Sequence, residues 1–157
     1  MTVKNSLYLI VLAMVLTSGL LYFICSLMRP VEIIAIHQRN SFSDVLVRNF
    51  PLTQKGQIEW WLKNKHMLKQ RYNIPRPASY GAFTIIFWDF SGGYMQEGKY
   101  DRLCFSDMKA PFNCIEKNRE FSVETGRDGQ ILFGVDDGVI HLKPNGEMFK
   151  RKYQPNL

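Results

Sequence analysis

The sequence predicts an α+β protein: a single N-terminal transmembrane helix followed by a small domain in which one amphipathic helix covers a mostly antiparallel sheet. Three observations predict it. The run "SLYLIVLAMVLTSGLLYFICSLM" extends from Ser6 to Met28, 23 positions without a charge. Between Thr53 and Pro75, apolar residues recur at helical spacing. From Ala82 onward, short apolar or alternating runs are separated by glycine-containing turns. A chain of 157 residues fits one modest domain plus an appendage.

The apolar run comes first. At about 1.5 Å rise per residue it makes roughly 34 Å of helix, enough for a hydrocarbon core of about 30 Å. Lys4 precedes it, Arg29-Pro30 closes it, and Tyr22 and Phe23 fall near its end, where aromatic rings suit the interface. It is longer than the apolar stretch of a cleaved signal, about 7–15 residues, and no small-residue cleavage site follows. Cys25 raises the question of lipidation, but bulky Tyr22 and Ile24 stand where such signals need small side chains. Residues 1–29 are therefore expected to be an uncleaved anchor, with the span at 6–28 and Cys25 packed in lipid as a small hydrophobe. Ala13, Thr17, Ser18 and Gly19 would permit contact with another helix.

Residues 30–157 form the second expected unit, held close to the bilayer by a short connection. "RPVEIIAIH" reads as a first strand, "QRNS" as a turn, and "FSDVLVRNF" as a second strand pairing back on the first. Thr53 is a candidate N-cap for a helix whose buried face carries Ile58, Trp61, Leu62, Leu68 and Tyr72, and which Pro75 stops. "AFTIIFWDF", Ala82 to Phe90, has the near-continuous apolar character of a central strand buried on both faces. "SGG" bends the chain and "GKYDRLCF" is a candidate partner strand. "REFSVET", "QILFGVDD", "VIHLK" and "MFKRKY", joined by "GRDG", "DG" and "PNGE", describe an antiparallel meander.

Few residues offer chemistry. Cys104 and Cys114 are too far apart for a zinc knuckle or a C-x-x-C redox pair. A disulfide closing a loop of about ten residues fits them best, worth roughly 3 kcal/mol; two independent buried thiols are the alternative. His37, His66 and His141 are scattered, show no metal-ligand spacing, and read as solvent-facing or satisfied structural histidines. Asp89, Glu97, Asp101 and Asp107 bracket the junction of sheet and loop. Two of them could serve glycoside hydrolysis if held about 5–10 Å apart, but Lys99, Arg102 and Lys109 are near enough in sequence to pair with them. Asp136-Asp137-Gly138 is too short for a calcium loop and reads as a hairpin turn. The "SGG" glycines lack the G-K-[ST] of a phosphate loop. No catalytic residue, metal or cofactor is expected.

Twenty Lys and Arg against fourteen Asp and Glu give a net charge of +6. Nucleic acid is one partner such a balance can serve, but a tethered domain more simply meets anionic headgroups or an acidic protein surface, so no nucleic-acid partner is expected. The helix carries Lys55, Lys63, Lys65, Lys69 and Arg71 on its exposed face. Trp60, Lys63, Lys65, Lys69 and Arg71 are the candidate partner-binding residues, although one of Trp60 and Trp61 is expected to cap the core with the other partly covered beside it. Orientation is contested. Basic residues after the span, Arg29, Arg39 and Arg48, outnumber Lys4 before it and would keep the domain in the cytoplasm. Sizeable domains translocate largely regardless of charge, so the cysteines decide for an oxidising compartment.

Several segments together, "RPVEIIAIH", "VLVRNFPLTQKGQIEWWLKNKHMLK", "FTIIFWDF", "KYDRLCF", "NCIEKN" and "VDDGVIHLKPNG", resemble the enterobacterial membrane proteins grouped as domain-of-unknown-function family 943. The resemblance covers nearly the whole chain. It implies a small inner-membrane-anchored protein without an assigned reaction, and it supplies no functional residue. The expected function is a non-catalytic binding module of the bacterial inner membrane, its domain in the periplasm, capturing an envelope protein partner. A self-protection (immunity) protein against a toxin acting in the envelope is one concrete version. The alternative is an envelope enzyme or assembly factor acting on cell-wall or polysaccharide substrates through the carboxylates between Asp89 and Asp107.

Overall fold

The structure is a computed structural model and describes residues 3–152. It divides into two compact units, Met1–Pro30 and Val31–Leu157.

The first unit is helix α1, Val3–Leu27. Its segment Lys4–Ser26 has a mean hydropathy of 2.3 and is long and apolar enough to cross a membrane. Every described side chain from Lys4 to Ser26 is exposed. Two of its hydroxyls are satisfied within the helix: Thr17 donates to the Met14 carbonyl and Ser18 to that of Val15, each at 3.0 Å. Internal satisfaction of this kind is what a hydrocarbon solvent demands.

The second unit is α+β, as predicted. A seven-stranded sheet has the order β1-β2-β3-β7-β8-β9-β10. Its strands are β1 (Glu32–Arg39), β2 (Phe42–Arg48), β3 (Thr84–Asp89), β7 (Arg119–Thr125), β8 (Ile131–Val135), β9 (Gly138–Leu142) and β10 (Met148–Lys152). Neighbours pair antiparallel except β2 and β3, which run parallel. A parallel pair needs a long crossover, and helix α2, Gln54–Tyr72, provides it. The Thr53 side chain caps α2 by accepting from the Gly56 N–H at 3.1 Å. The stop comes earlier than Pro75: Asn73 adopts the left-handed conformation (φ 56°) and its N–H reaches back to the Lys69 carbonyl at 3.0 Å.

Several strand boundaries differ from the sequence reading. β1 begins at Glu32, not Arg29, and continues to Arg39. "GKYDRLCF" does not pair with β3; only Leu103–Cys104 is extended, and β7 takes the place beside β3. It belongs to a separate three-stranded sheet, β4 (Met95–Gln96), β6 (Phe112–Ile115) and β5 (Leu103–Cys104) in that order. These short strands and their loops form a lobe between β3 and β7. The last strand is described to Lys152, so Tyr153 of the predicted "MFKRKY" lies outside the described residues.

The two faces of β2 and β3 carry different cores, because successive side chains alternate across a strand. Val45, Val47, Ile85, Phe87, Phe121, Val123 and Phe133 meet Ile58, Trp61 and Leu68 of α2. On the opposite face Leu46 and Trp88 meet Phe90, Phe105 and Ile115 of the lobe. Fully burying a side chain of this size contributes about 1.5–3 kcal/mol, so both coverings are needed for β3 to be the doubly buried strand its composition predicts.

Candidate functional site

The lobe is closed by a disulfide between Cys104 and Cys114, cross-strand partners on β5 and β6. Cys114 is buried and Cys104 exposed. Cys25 is free.

Beneath the lobe lies a polar cluster that the sequence did not reveal. His37 sits on β1 opposite Asp44 of β2, and both are buried. Its ring stacks on Phe105, centroids 3.7 Å apart and planes inclined by 11°. Nδ1 lies 2.8 and 2.9 Å from the two carboxylate oxygens of Asp107, and Nε2 lies 2.9 Å from the Tyr94 hydroxyl. An acceptor-only carboxylate requires Nδ1–H, so in the neutral ring Nε2 accepts from the phenol. Beside it, the Asp44 carboxylate accepts from Trp88 Nε1 at 2.8 Å and from Arg39 at 3.0 Å.

A carboxylate–imidazole–hydroxyl chain has the order of groups found in nucleophilic sites. Here the hydroxyl is a phenol, and burial, followed by the Asp107 charge, pushes its pKa above the ordinary tyrosine value. That favours the O–H form, a donor that holds the ring rather than an attacking oxyanion. With both imidazole nitrogens engaged and the ring stacked, the cluster is arranged to fasten the lobe. His37 is thus a satisfied structural histidine; His66 is exposed, and His141 stacks on Phe149 with centroids 4.6 Å apart.

The four acidic residues near the lobe are engaged separately. Asp89 accepts from the Ser91 N–H at 3.1 Å and from the Ser91 hydroxyl. Asp101 takes Lys117 at 2.6 Å, and Asp107 takes His37. Glu97 is exposed just after β4. The cations adjacent in sequence, Lys99, Arg102 and Lys109, are not their partners; Arg102 faces Glu116 at 3.7 Å and donates to the Gln96 carbonyl at 2.6 Å. No two of the four share a hydrogen-bond or ion-pair partner among the described residues. Nor do three His, Cys, Asp or Glu gather among them as metal ligands would.

The basic residues of α2 are exposed but do not form one stripe. At about 100° per residue, Lys55, Lys65 and Lys69 fall within about 80° of one another, while Lys63 and Arg71 project from the other side of the helix. Lys69 serves the helix end, donating to Asn73 at 3.1 Å and to the Pro75 carbonyl at 2.9 Å. The Arg71 guanidinium lies 5.6 Å from the Tyr72 ring centroid. Trp60 is half-buried edge-on to Phe50 and Phe87, at 5.2 and 5.7 Å, while Trp61 is buried. The exposed cations thus fall in two groups on the helix, while Trp60 and Trp61 both contribute to packing.

A cleft of about 420 Å³ opens instead between the first half of α2 and the β9–β10 hairpin. Ile58, Leu62, Ile140 and Met148 give it an apolar floor, with Lys55 and Lys150 at its rim. Lys150 is fixed by Asp137 at 2.6 Å and donates to Gln54 at 3.0 Å, tying the hairpin to the start of the helix. Gly138 permits this hairpin, since a side chain there would meet the Arg151 carbonyl oxygen 2.3 Å from its Cβ. Nothing in the sequence marks the cleft, because its two walls come from segments about eighty residues apart.

The model of a family described as "Enterobacterial putative membrane protein (DUF943)" matches residues 4–152. No curated protein and no solved structure matches the chain.

Proposed function

We propose a function for a chain that belongs to DUF943, the enterobacterial putative membrane protein family: it is a single-pass inner-membrane protein whose domain stands in the periplasm and binds an envelope protein without catalysing a reaction. The observation that carries this reading is the Cys104–Cys114 bond in a chain headed by a helix of span length. Disulfides persist where the surroundings are oxidising, and such a helix gives the domain a route there. A non-catalytic role is supported by the saturation of the His37 cluster and by the separate engagement of Asp89, Asp101 and Asp107. The rival reading, an envelope enzyme or assembly factor, would draw on those carboxylates, each of which already has a partner of its own.

In its most concrete form the partner is a toxin acting in the envelope, and the protein gives self-protection. The net charge of +6 favours an acidic partner surface through electrostatic steering. Co-purification from detergent-solubilised cells tests the reading. A stoichiometric envelope protein is the expected result, and its repeated absence overturns it.

A further inference from the structure

We propose that the outer edge of β10, together with the cleft beside it, takes up an extended acidic segment of a partner protein as an added strand. The inference rests on the binding role proposed above and names where and what the domain binds.

Among the described residues, β9 is the one strand that pairs with β10. Lys143 N–H donates to the Glu147 carbonyl at 2.9 Å, which sets the phase of the ladder. Alternation then makes Met148–Leu142, Lys150–Ile140 and Lys152–Gly138 the non-hydrogen-bonded pairs. The main-chain groups of Met148, Lys150 and Lys152 therefore point away from β9, toward the open edge. At the other end of the sheet, β1 carries a bulge between Ile33 and Ala35, a device that spoils edge pairing. β10 keeps a regular register throughout.

The same three residues lie on the α2 side of the sheet, where Met148 is 49% exposed and forms part of the cleft floor. A strand added to this edge would place alternate side chains beside Ile58, Leu62 and Met148. Those side chains must be apolar.

Charge decides the rest. Lys150, Arg151 and Lys152 are consecutive, and of the three only Lys150 has an acidic partner among the described residues. A second copy pairing antiparallel would set cations against cations, which is destabilising. An alternating apolar and acidic segment satisfies both demands, with apolar residues over the cleft and carboxylates on the opposite face, toward Arg151. Edge lysines also serve simply to prevent aggregation; that role alone would leave such a segment unbound.

The test uses the full chain in dodecyl maltoside micelles and a fluorescein-labelled peptide of four valine–glutamate repeats, read by anisotropy. Saturable binding that weakens with added salt is expected, with none to the valine–lysine counterpart. Lys152→Pro removes an outward N–H without touching the β9 ladder and should weaken binding about tenfold. Met148→Asp should do the same, Arg151→Gln, which removes the cation facing the carboxylates, should weaken it about threefold, and Lys152→Gln, which keeps the N–H, should weaken it less than Lys152→Pro. Absence of saturable binding, or equal binding by Lys152→Pro and Met148→Asp, overturns the proposal. A dimer of the chain that Lys152→Pro dissolves would make a second copy the occupant. A rise of about tenfold in peptide affinity on truncation after Lys152 would make the chain's own end the occupant. Either result also overturns the proposal. An envelope protein that co-purifies equally with wild type and Lys152→Pro refutes this edge while leaving the binding role intact, whereas loss of all co-purification refutes the role itself.

Discussion

His37 on β1 holds the carboxylate of Asp107, 70 residues further along the chain, at 2.8 Å through Nδ1. The contact joins the main sheet to the disulfide loop, and the Tyr94 hydroxyl secures the other side of the same ring at 2.9 Å. His37→Ala removes both bonds and the stack on Phe105, leaving a cavity and an unpaired phenol. A loss of about 3 kcal/mol is expected, seen as a fall of about 10 °C in the melting temperature of the detergent-solubilised protein. Tyr94→Phe, which deletes one bond and leaves the ring, should cost about 1 kcal/mol.

The cysteine pair gives a second expectation. Protein isolated with blocked thiols should run faster on a non-reducing gel than after reduction, and Cys104→Ser or Cys114→Ser should abolish the difference. Either substitution should destabilise the domain by roughly 3 kcal/mol on the loop-entropy estimate. Cys25→Ser should leave the gel pattern unchanged.

Topology is checked with a periplasm-dependent reporter fused after Leu157. An active fusion is expected. An inactive one would reverse the orientation and leave the disulfide without its compartment.

Glu120 sets a pH dependence. Burial, then the charges of Asp89 and Asp136, raises its pKa above the ordinary glutamate value. The fold therefore holds this proton more tightly than the unfolded chain does. The resulting stability is present below the unfolded pKa and is lost as pH rises through the folded one. Glu120→Gln should flatten that part of the decline, and the variant should melt slightly higher than wild type at pH 7. Thermal denaturation of both proteins between pH 4 and 7 measures the difference.

The tryptophan pair separates packing from recognition. Trp61→Ala should cost about 4 kcal/mol, as expected for a buried indole. Trp60→Ala should cost about half as much, because Trp60 is only half-buried against Phe50 and Phe87. Unchanged stability of Trp60→Ala would show that its ring serves a surface rather than the core.

Local signals in the sequence translated directly into structure. Thr53 caps where a threonine before helical periodicity should, and "REFSVET" is β7 residue for residue. Asp136 and Asp137 turn β8 into β9, one position earlier than the DG pair, with Gly138 already in the strand. What the sequence hid is non-local. Parallel pairing of β2 with β3 leaves no periodicity to read, since a strand alternates alike beside either kind of neighbour. "GKYDRLCF" has the composition of a strand, but the disulfide lobe uses only two of its residues that way. His37, Tyr94 and Asp107 come together across 57 and 70 positions. The one available hint was local: His37 shares a strand face with Ala35, where a polar side chain entering the core must find a partner. The cleft carried no signal, because each wall reads as an ordinary amphipathic element.

The placement of the lobe has a modular consequence. Trp88 of β3 is paired with Arg119 of β7, and the Asp89 N–H donates to the Asn118 carbonyl at 2.9 Å, so the lobe leaves and rejoins the sheet at one spot. In topological terms residues 90–118 are an overgrown hairpin loop, a cassette whose ends are already clamped by the scaffold. Its sequence can be lengthened, shortened or exchanged without altering strand order, provided the replacement still shields Leu46 and Trp88 and supplies partners to the buried His37. One side of this domain is thus a replaceable fitting, and the register of the sheet is indifferent to what is mounted there.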